Sequence, residues 1–280
     1  MKKLLVATDL SARSDRALQR ALALAHQLGA TLKVIHIVSD TMPVSIAEQY
    51  EASARTTIEQ LLASLPSAAD AKPEIAIVRG HGHDEILRHS QETGAELLVL
   101  GITRHTTYEL FRGTTAERII RTGNLPVLLV KDPIAHDYER VLVATDNSPA
   151  SRRALECAAA IAPDAEFHLL HTVHVPFKGL LGPESQAQIR QEQERHFKEA
   201  LEKDIRAHAQ RLGKGGLRVT FHVEDGDVLS VIRDQATRLK PDFLAIGSHG
   251  RSGLRHALIG TVAGNLLSDP PVDLLVTKAW

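Results

Sequence analysis

The sequence predicts an α/β fold of two tandem domains, each an open parallel sheet of five strands with helices on both faces. Three observations predict it. The segment RVLVATDNSPASRRAL at 140–155 repeats KLLVATDLSARSDRAL at 3–18. Short apolar runs alternate with helical patterns in both halves, which is typical of parallel strands joined by crossover helices. Several of these runs are apolar throughout, as expected of strands that helices cover on both sides.

The predicted strands follow one another in the same order in both copies. In the first copy they lie at 3–8, 31–38, 73–78, 96–101 and 126–131. In the second copy they lie at 140–145, 165–173, 217–223, 242–247 and 272–278. The second copy also carries an insertion after its second strand, which includes Phe177 to Glu184. The segment 131–139 reads as a linker, so the predicted domains are 1–132 and 138–280.

Composition and charge exclude several classes of protein. The chain of 280 residues is long enough for two domains that each bury a core. Its net charge of −1 gives no general attraction for nucleic acid or anionic lipid, so we expect neither a nucleic-acid nor a membrane partner. Asp9 interrupts the first apolar run, which argues against a signal peptide or membrane span there. Cys157 is the single cysteine, so we expect no disulfides and a cytoplasmic protein.

A glycine-rich segment, GSHGRSGLRHALIGT, follows the fourth strand of the second copy. It reads Gly247-x2-Gly250-x9-Gly260-Thr261. Glycines let the main chain approach an anion, and Gly260 and Thr261 open a predicted helix whose N-terminal amides favour negative charge. Arg251 adds a positive charge in the loop. The segment therefore predicts a phosphate-binding loop, and the alternative is that its glycines only turn the chain.

Asp146 ends the first strand of the second copy, at the edge of the sheet where open parallel sheets bind ligands. Its carboxylate is placed to accept hydrogen bonds from a ribose or an adenine edge. The alternative is that Asp146 caps the next helix, whose start is marked by Ser148-Pro149. Both alternatives place Asp146 at the same turn.

The first copy departs from this pattern. Its corresponding segment is GITRHTTYELFRGTT, in which Arg104 replaces the second glycine. Counted from Gly101 to Gly113, the segment is one residue shorter than the span from Gly247 to Gly260. Asp9 and the pair Gly113-Thr114 are retained. We therefore expect the intact nucleotide site in the second domain and weak or altered binding in the first.

The chain resembles a tandem universal stress protein, that is, two UspA-type domains of Rossmann-like fold in one chain. The resemblance rests on VATD at 6–9 and 143–146, on VIH at 34–36 and LLH at 169–171, and above all on the glycine-rich segment. ATP-binding members of the family carry a G-x2-G-x9-G-[S/T] loop. The resemblance therefore implies that Gly247, Gly250, Gly260 and Thr261 bind ATP or a related adenine nucleotide.

Further site residues are implied by the same resemblance. Thr145 and Asp146 would hold adenosine, Thr172 would offer its main chain to adenine, and Ile246 would line the base pocket. The neighbouring Ala144, Arg251 and Val262 complete the expected nucleotide-binding set. Mg²⁺ bridging the phosphates is a further expectation. The last strands of the two copies would meet about a pseudo-twofold axis, and a homodimer of tandem chains is expected by analogy.

The expected function is that of a stress-response regulator linked to nucleotide binding, with an unidentified protein partner. We identify no catalytic residues, since the chain has neither an elbow-type serine motif nor a Walker lysine before Ser or Thr. The alternatives are a scaffold that binds no nucleotide and a slow ATPase. Asp273, within the last predicted strand, marks either a protected sheet edge or a hydrogen bond across the copies.

Fifteen histidines raise the question of a metal site. His81 and His83 read as solvated loop residues. His36 and His171 are strand-end residues at equivalent places in the repeat, and His168 and His174 lie near His171 in sequence. We therefore expect no metal ion bound by these histidines. The segment from about Ser185 to Leu212 reads as a solvated amphipathic helix, with a partner-binding surface as the alternative.

Overall fold

The computed structural model describes residues 1–65, 68, 71–102, 114–173, 182–212, 217–250 and 259–279. These residues divide into two compact units. The first unit comprises Met1–Asp137 together with Asp273–Val276, and the second comprises Tyr138–Val272 and the end of the chain from Thr277.

The first unit alternates strands and helices. Its strands are β1 (Lys3–Thr8), β2 (Thr31–Val38), β3 (Glu74–Arg79), β4 (Leu97–Gly101) and β5 (Val127–Val130). Its helices are α1 (Ala12–Leu28), α2 (Val44–Ala63), α3 (Gly82–Thr93) and α4 (Thr115–Thr122).

The second unit repeats this order. Its strands are β6 (Arg140–Ala144), β7 (Glu166–Val173), β8 (Arg218–Asp225) and β9 (Phe243–Gly247). The last strand, β10 (Asp273–Thr277), follows near the end of the chain, and its residues Asp273–Val276 belong to the first unit. Its helices are α5 (Pro149–Ile161), α6 (Pro183–Leu212), α7 (Val228–Leu239) and α8 (Thr261–Ser268). All ten strands fall where the sequence predicts them, with small shifts at their ends.

The sheet topology fixes where a ligand can bind. The strands of the first unit run in the order β3-β2-β1-β4-β5, and those of the second in the order β9-β6-β7-β8. Neighbouring strands within these two series are parallel. The winding reverses between β1 and β4, and again between β6 and β9. Ligands of open parallel sheets bind at this reversal, outside the carboxyl ends of the strands.

The central strands and the inner faces of the helices form the core. Leu5, Val6, Leu97 and Leu98 are fully buried in the first unit. Their burial on neighbouring parallel strands explains why these runs are apolar without alternation, since helices cover both faces of the sheet. Each core residue removed from water contributes roughly 1.5–3 kcal/mol of hydrophobic stabilisation.

The first helix of each unit begins in the same way. Ser11 accepts the amide N–H of Ser14, and Ser148 accepts that of Ser151 at 3.2 Å, so each serine satisfies a helix amide that has no partner within the helix. Pro149 occupies the first turn of α5. The predicted helix start at Ser148-Pro149 is thus confirmed. These caps fix the chain direction just after β1 and β6, beside the reversal points.

The last strand, β10, pairs antiparallel with β5, with Leu275 opposite Leu128. Its residue Asp273 is 3% exposed, and its Oδ1 accepts the amide N–H of Lys131 at 2.7 Å. Arg20 Nε lies 3.9 Å from Asp273 Oδ2. The hydrogen-bond explanation for this buried carboxylate is therefore the correct one, because a carboxylate away from water requires such partners.

Two further sequence predictions concern helices. His83 lies in the first turn of α3 and His81 is the N-cap residue of that helix, so the expectation of loop residues is wrong for His83. The predicted long helix is present as α6, where Phe197 and Leu201 are buried, as an amphipathic helix requires. Among the described helices none is both long and apolar enough to cross a membrane.

Candidate functional site

A cleft of about 380 Å³ opens at the reversal point of the second unit, beyond the carboxyl ends of β6 and β9. It collects all of the site residues predicted from sequence that fall within the described part of the chain. These are Ala144, Thr145, Asp146, Thr172, Ile246, Gly247, Gly250, Gly260, Thr261 and Val262. Arg251 lies outside the described residues. The predicted residues are therefore gathered at one place.

Thr145 organises the turn at the start of this cleft. It is 7% exposed, its Oγ1 donates to Ser151 Oγ at 3.1 Å, and it accepts the amide N–H of Asn147 at 3.2 Å. Its carbonyl oxygen lies 2.8 Å from His171 Nδ1. The hydroxyl and the carbonyl are thus used inside the protein, so Thr145 shapes the cleft rather than offering free polar atoms to it.

Asp146 uses one of its two carboxylate oxygens to hold this turn. Oδ1 accepts the amide N–H of Ser148 at 3.0 Å. Asp146 thereby supports the start of α5, while Ser148 itself supplies the helix cap. The capping alternative and the ligand-binding prediction are compatible, because a carboxylate has a second oxygen and several lone pairs to offer.

The second oxygen of Asp146 stands close to Gly250. A Cβ added to Gly250 would lie 2.8 Å from Asp146 Oδ2, which is closer than such atoms approach in proteins. The missing side chain therefore leaves room for the carboxylate and brings the main chain of Gly250 beside it. Gly250 is needed at this point for the shape of the cleft.

Gly247 has a different role. A Cβ there would lie 2.8 Å from Ala150 Cβ and 2.9 Å from the amide nitrogen of Ser151, both on α5. The glycine lets α5 pack directly on β9. Gly101 in the first unit is in the same position, since a Cβ there would lie 2.6 Å from the carbonyl oxygen of Arg13 on α1. Close packing of the helix on the sheet explains why both copies retain this glycine.

Gly260 is the N-cap residue of α8 and makes no side-chain cap hydrogen bond. Its own N–H donates to the carbonyl oxygen of Ser248 at 2.8 Å. The next amides, those of Thr261, Val262 and Ala263, belong to the first turn of the helix, where N–H groups have no partner within the helix. All three residues line the cleft, so the positive end of the α8 dipole faces it.

The corresponding helix of the first unit begins with a different N-cap residue. Its helix α4 has Thr114 as N-cap residue, at the same distance along the chain from Gly101 as Gly260 is from Gly247. Thr114 thus corresponds to Gly260. The sequence-based match of Gly113-Thr114 to Gly260-Thr261, with a shorter loop, is therefore wrong. Both the second and the third glycine are replaced in the first copy, by Arg104 and Thr114.

Thr114 and Glu117 close the start of α4 by a capping box. Thr114 Oγ1 accepts the amide N–H of Glu117 at 3.2 Å, and Glu117 Oε2 accepts that of Thr114 at 2.9 Å. Ala263 stands in the second unit where Glu117 stands in the first. The α4 terminus therefore carries its own carboxylate, whereas the α8 terminus has neither the capping hydroxyl nor the acid.

Other residues that line the cleft were not predicted. They are Ser151, Leu170, His171, Val228, Ile232, Ser248, His249 and Ala263. Ser248 is fully buried, its N–H donates to Thr277 at 2.7 Å, and its Oγ lies 2.8 Å from His249 Nδ1. The position of Ser248 between two motif glycines could have marked it in the sequence as a residue that lines the cleft. The apolar Val228 and Ile232 come from α7, and nothing in the sequence marks that helix as facing the ligand side.

The histidines contribute hydrogen bonds. His36 Nδ1 lies 2.8 Å from the carbonyl oxygen of Thr8, and His171 Nδ1 is equally far from that of Thr145, so the predicted equivalence of these residues is confirmed. His168 Nδ1 and His222 Nε2 are 3.0 Å apart. In the described ranges no three His, Cys, Asp or Glu side chains are grouped so as to hold a metal ion. His174 falls outside those ranges.

Comparison with known proteins agrees with this architecture. The profile of the universal stress protein family matches residues 1–131 and 137–278, which is nearly the whole chain in two copies. A universal stress protein of Methanocaldococcus jannaschii is 31% identical over 146 residues, covering 50% of this chain and 82% of that protein. The universal stress protein A homolog 1 of Coxiella burnetii is 26% identical over 140 residues, covering 46% of this chain and 95% of that protein.

A solved structure resembles the chain over its full length. The crystal structure of a universal stress protein from Archaeoglobus fulgidus aligns with a TM-score of 0.71 and covers 99% of this chain and 96% of its own. The sequence identity is 19%, so this similarity concerns the fold alone. The tandem arrangement of two α/β units is thus found in another protein of known structure.

Proposed function

Because the chain belongs to the universal stress protein family, we propose that its second domain binds ATP or a related adenine nucleotide. The observation that carries this proposal is the open N-terminus of α8, which faces a cleft beside Gly250 and Asp146. The first domain, where a capping box closes the same helix start, supplies a contrast within the chain. The glycine pattern of the second domain is also that of the ATP-binding members of the family.

The cleft offers each part of a nucleotide a chemically suitable surface. The phosphates would accept hydrogen bonds from the N–H groups of Thr261, Val262 and Ala263, favoured by the helix dipole. The carboxylate of Asp146, which lines the cleft, would accept hydrogen bonds from ribose hydroxyls. The main chain of Thr172, at the end of β7, would meet the polar edge of the base.

Apolar side chains would enclose the base. Ile246 is 3% exposed and Ile232 is 1% exposed, and both line the cleft. Arg251, next to Gly250 in sequence, would add positive charge. Such a combination of an apolar wall with a few placed polar groups is typical of sites for small ligands.

Mg²⁺ would be held mainly by the phosphates themselves. The described part of the chain brings no three His, Cys, Asp or Glu side chains together for a metal, and Mg²⁺ on nucleotides is commonly bound through phosphate oxygens and water. The ion would supply charge neutralisation on the phosphates. The residues that would position the phosphates beside it are Gly260 and Thr261.

We further propose that nucleotide binding serves regulation in the stress response rather than turnover. The hydroxyl of Thr145 donates to Ser151 Oγ within the protein, so its observed contact serves the turn of the cleft. Family membership supports the stress-response role, a cytoplasmic location and assembly into homodimers. A scaffold without nucleotide and a slow ATPase are the competing outcomes that the following experiment separates.

The test is binding of ATP to the purified full-length chain. We expect the melting temperature to rise with ATP concentration, and mass measurement of the protein as purified to detect bound nucleotide. The variant Gly250→Arg should abolish both effects, since its Cβ would lie 2.8 Å from Asp146 Oδ2 and its long side chain would stand where the phosphates approach the main chain. Absence of any ATP-dependent shift in the unmodified chain, with no copurified nucleotide, would refute the proposal. Phosphate release that disappears in Gly250→Arg would identify a slow ATPase instead.

A further inference from the structure

The first unit has a cleft of its own, of about 310 Å³, at its reversal point. Ala7, Thr8 and Asp9 line it where Ala144, Thr145 and Asp146 line the second cleft. The hydroxyl network is also the same, with Thr8 Oγ1 2.9 Å from Ser14 Oγ. The departure of this copy from the glycine pattern has therefore not removed the cleft.

A carboxylate is bound at the helix start beside the phosphate end of the first cleft, and Arg13 is the cation among the residues that line the cleft. Thr115 and Ala116, in the first turn of α4, line the cleft, but the carboxylate of Glu117 is bound at that helix start. A carboxylate there satisfies the helix dipole and repels a second anion. Burial raises the pKa of Asp9, but the hydrogen bonds from Ser11 and Ser14 together outweigh burial and lower this pKa, so Asp9 adds negative charge. With Asp9 in the lining and Glu117 at the helix start set against Arg13, the cleft has no excess of positive charge to hold a polyphosphate, so an uncharged ligand suits it better.

His36 supplies an unsatisfied acceptor at the other end. It lines the cleft and is 3% exposed. Its Nδ1 must carry the proton, because it faces the carbonyl oxygen of Thr8, which can only accept. In the neutral imidazole Nε2 is then an acceptor, and it has no hydrogen-bond partner among the described residues. A buried acceptor without a partner costs about 1–3 kcal/mol, which a ligand N–H or O–H would recover.

Tyr50 provides an aromatic surface beside His36. The two ring centroids are 5.9 Å apart, the rings are tilted by 38°, and Tyr50 remains 41% exposed. In the second unit, by contrast, Phe197 stacks on His171 at 4.3 Å and is buried. No described residue bonds the Tyr50 hydroxyl, so this side chain can turn and admit a planar ligand to the imidazole.

We propose that the cleft of the first domain binds an uncharged nucleoside. Its base packs against Tyr50 and donates a hydrogen bond to His36 Nε2, while Glu117 excludes phosphate. The choice of a nucleoside rests on the function proposed for the second domain, whose cleft is built from the corresponding residues. The chain would thus carry two different adenine sites, one for a nucleotide and one for its dephosphorylated form.

The experiment measures adenosine and ATP binding by calorimetry on the full-length chain carrying Gly250→Arg, in which the second site is blocked. We expect this chain to bind adenosine and not ATP. Adding Tyr50→Ala, at an exposed position, should weaken adenosine binding at least tenfold, and His36→Leu should do the same. Val44→Ala, at another exposed position of α2, is the matched control and should leave binding unchanged.

A second variant tests the exclusion of phosphate. Thr114→Gly with Glu117→Ala gives α4 the open start of α8, and we expect ATP to bind the first domain of the Gly250→Arg chain when both are introduced. Failure of adenosine to bind the Gly250→Arg chain, or equal affinity with and without Tyr50 and His36, would overturn the proposal. ATP binding by the unmodified chain is a separate readout, so failure of the second-domain proposal is recognised independently.

Discussion

Asp146 and Gly250 are direct neighbours in the lining of the second cleft, because a Cβ on Gly250 would lie 2.8 Å from Asp146 Oδ2. The other oxygen, Oδ1, is held by the amide N–H of Ser148 at 3.0 Å. The carboxylate therefore cannot move away from Gly250 without losing a hydrogen bond. The conformation of Asp146, which follows the first strand of the domain, thus depends on the absence of a side chain just after the fourth strand.

Gly250→Ala is accordingly expected to weaken nucleotide binding without unfolding the domain. The added methyl displaces the Asp146 carboxylate and narrows the approach to the main chain. We expect at least about a tenfold loss of ATP affinity, or about 1.4 kcal/mol. Titration calorimetry measures the loss, and a melting curve without ligand checks the fold. An unchanged affinity would mean that this contact does not shape the nucleotide site.

Gly247→Ala should instead destabilise the protein. Its Cβ would meet Ala150 Cβ at 2.8 Å and the amide nitrogen of Ser151 at 2.9 Å, and main-chain atoms cannot give way as a flexible side chain can. We expect a loss of about 1–3 kcal/mol in the free energy of unfolding, as for other overpacked cores. Gly101→Ala should have the same effect in the first domain. Urea unfolding at equilibrium measures both losses.

Gly264→Ala is the matched control for these two variants and carries its own prediction. Gly264 lies within α8, and a Cβ there would meet nothing within 4 Å. Alanine is favoured over glycine inside a helix by about 0.5–1 kcal/mol, so this variant should be more stable than the unmodified chain. The melting temperature should rise, with ATP affinity unchanged. A lower melting temperature would show that α8 requires this glycine.

Gly247 and Gly250 show how much of the fold and of the site sequence analysis could predict. Periodicity and the repeat predicted all ten strands, because buried parallel strands leave long apolar runs that need no knowledge of their partners. The glycine spacing led to the right cleft. It did not distinguish Gly247, which packs against α5, from Gly250, which faces Asp146, since that distinction depends on what stands opposite each residue in space.

The alignment of the glycine-rich segment in the first copy shows a second limit of sequence analysis. Matching Gly113 to Gly260 maximised sequence identity, but the helix start at Thr114 gives the true correspondence. A capping box such as Thr114 with Glu117 is a recognisable sequence signal, and it would have located the helix start here. The contributions of Ile232 and Tyr50 lie beyond such signals, because both reach their clefts from helices through tertiary packing.

Cys157 is expected to react slowly with thiol reagents in the folded protein. Burial raises the pKa of this thiol to about 11, with Arg153 opposing the shift. Only the thiolate is nucleophilic, and at about pH 8 roughly one thiol in a thousand would be ionised. Ellman's reagent should modify the native chain far more slowly than the urea-unfolded chain. Equal rates in the two states would show that the thiol is not held in the interior.

The pair His168 and His222 predicts that stability decreases in mildly acidic solution. Burial lowers the pKa of both imidazoles below the usual 6.5, and their mutual approach at 3.0 Å lowers that of His222 further. Arg140 and Arg238 act in the same direction, whereas Glu166 and Glu224 oppose it.

Because both pKa values are lower in the folded chain, the unfolded chain takes up protons first as the pH falls. The stabilisation associated with the neutral pair is therefore complete above about pH 6.5 and is lost as the pH falls through the folded pKa values. Urea unfolding at about pH 8 and about pH 5.5 measures the difference. Replacing both histidines by Gln should reduce it, whereas His81→Gln, at an exposed position, should not. An equal pH dependence in the double variant would show that other groups govern the acid sensitivity.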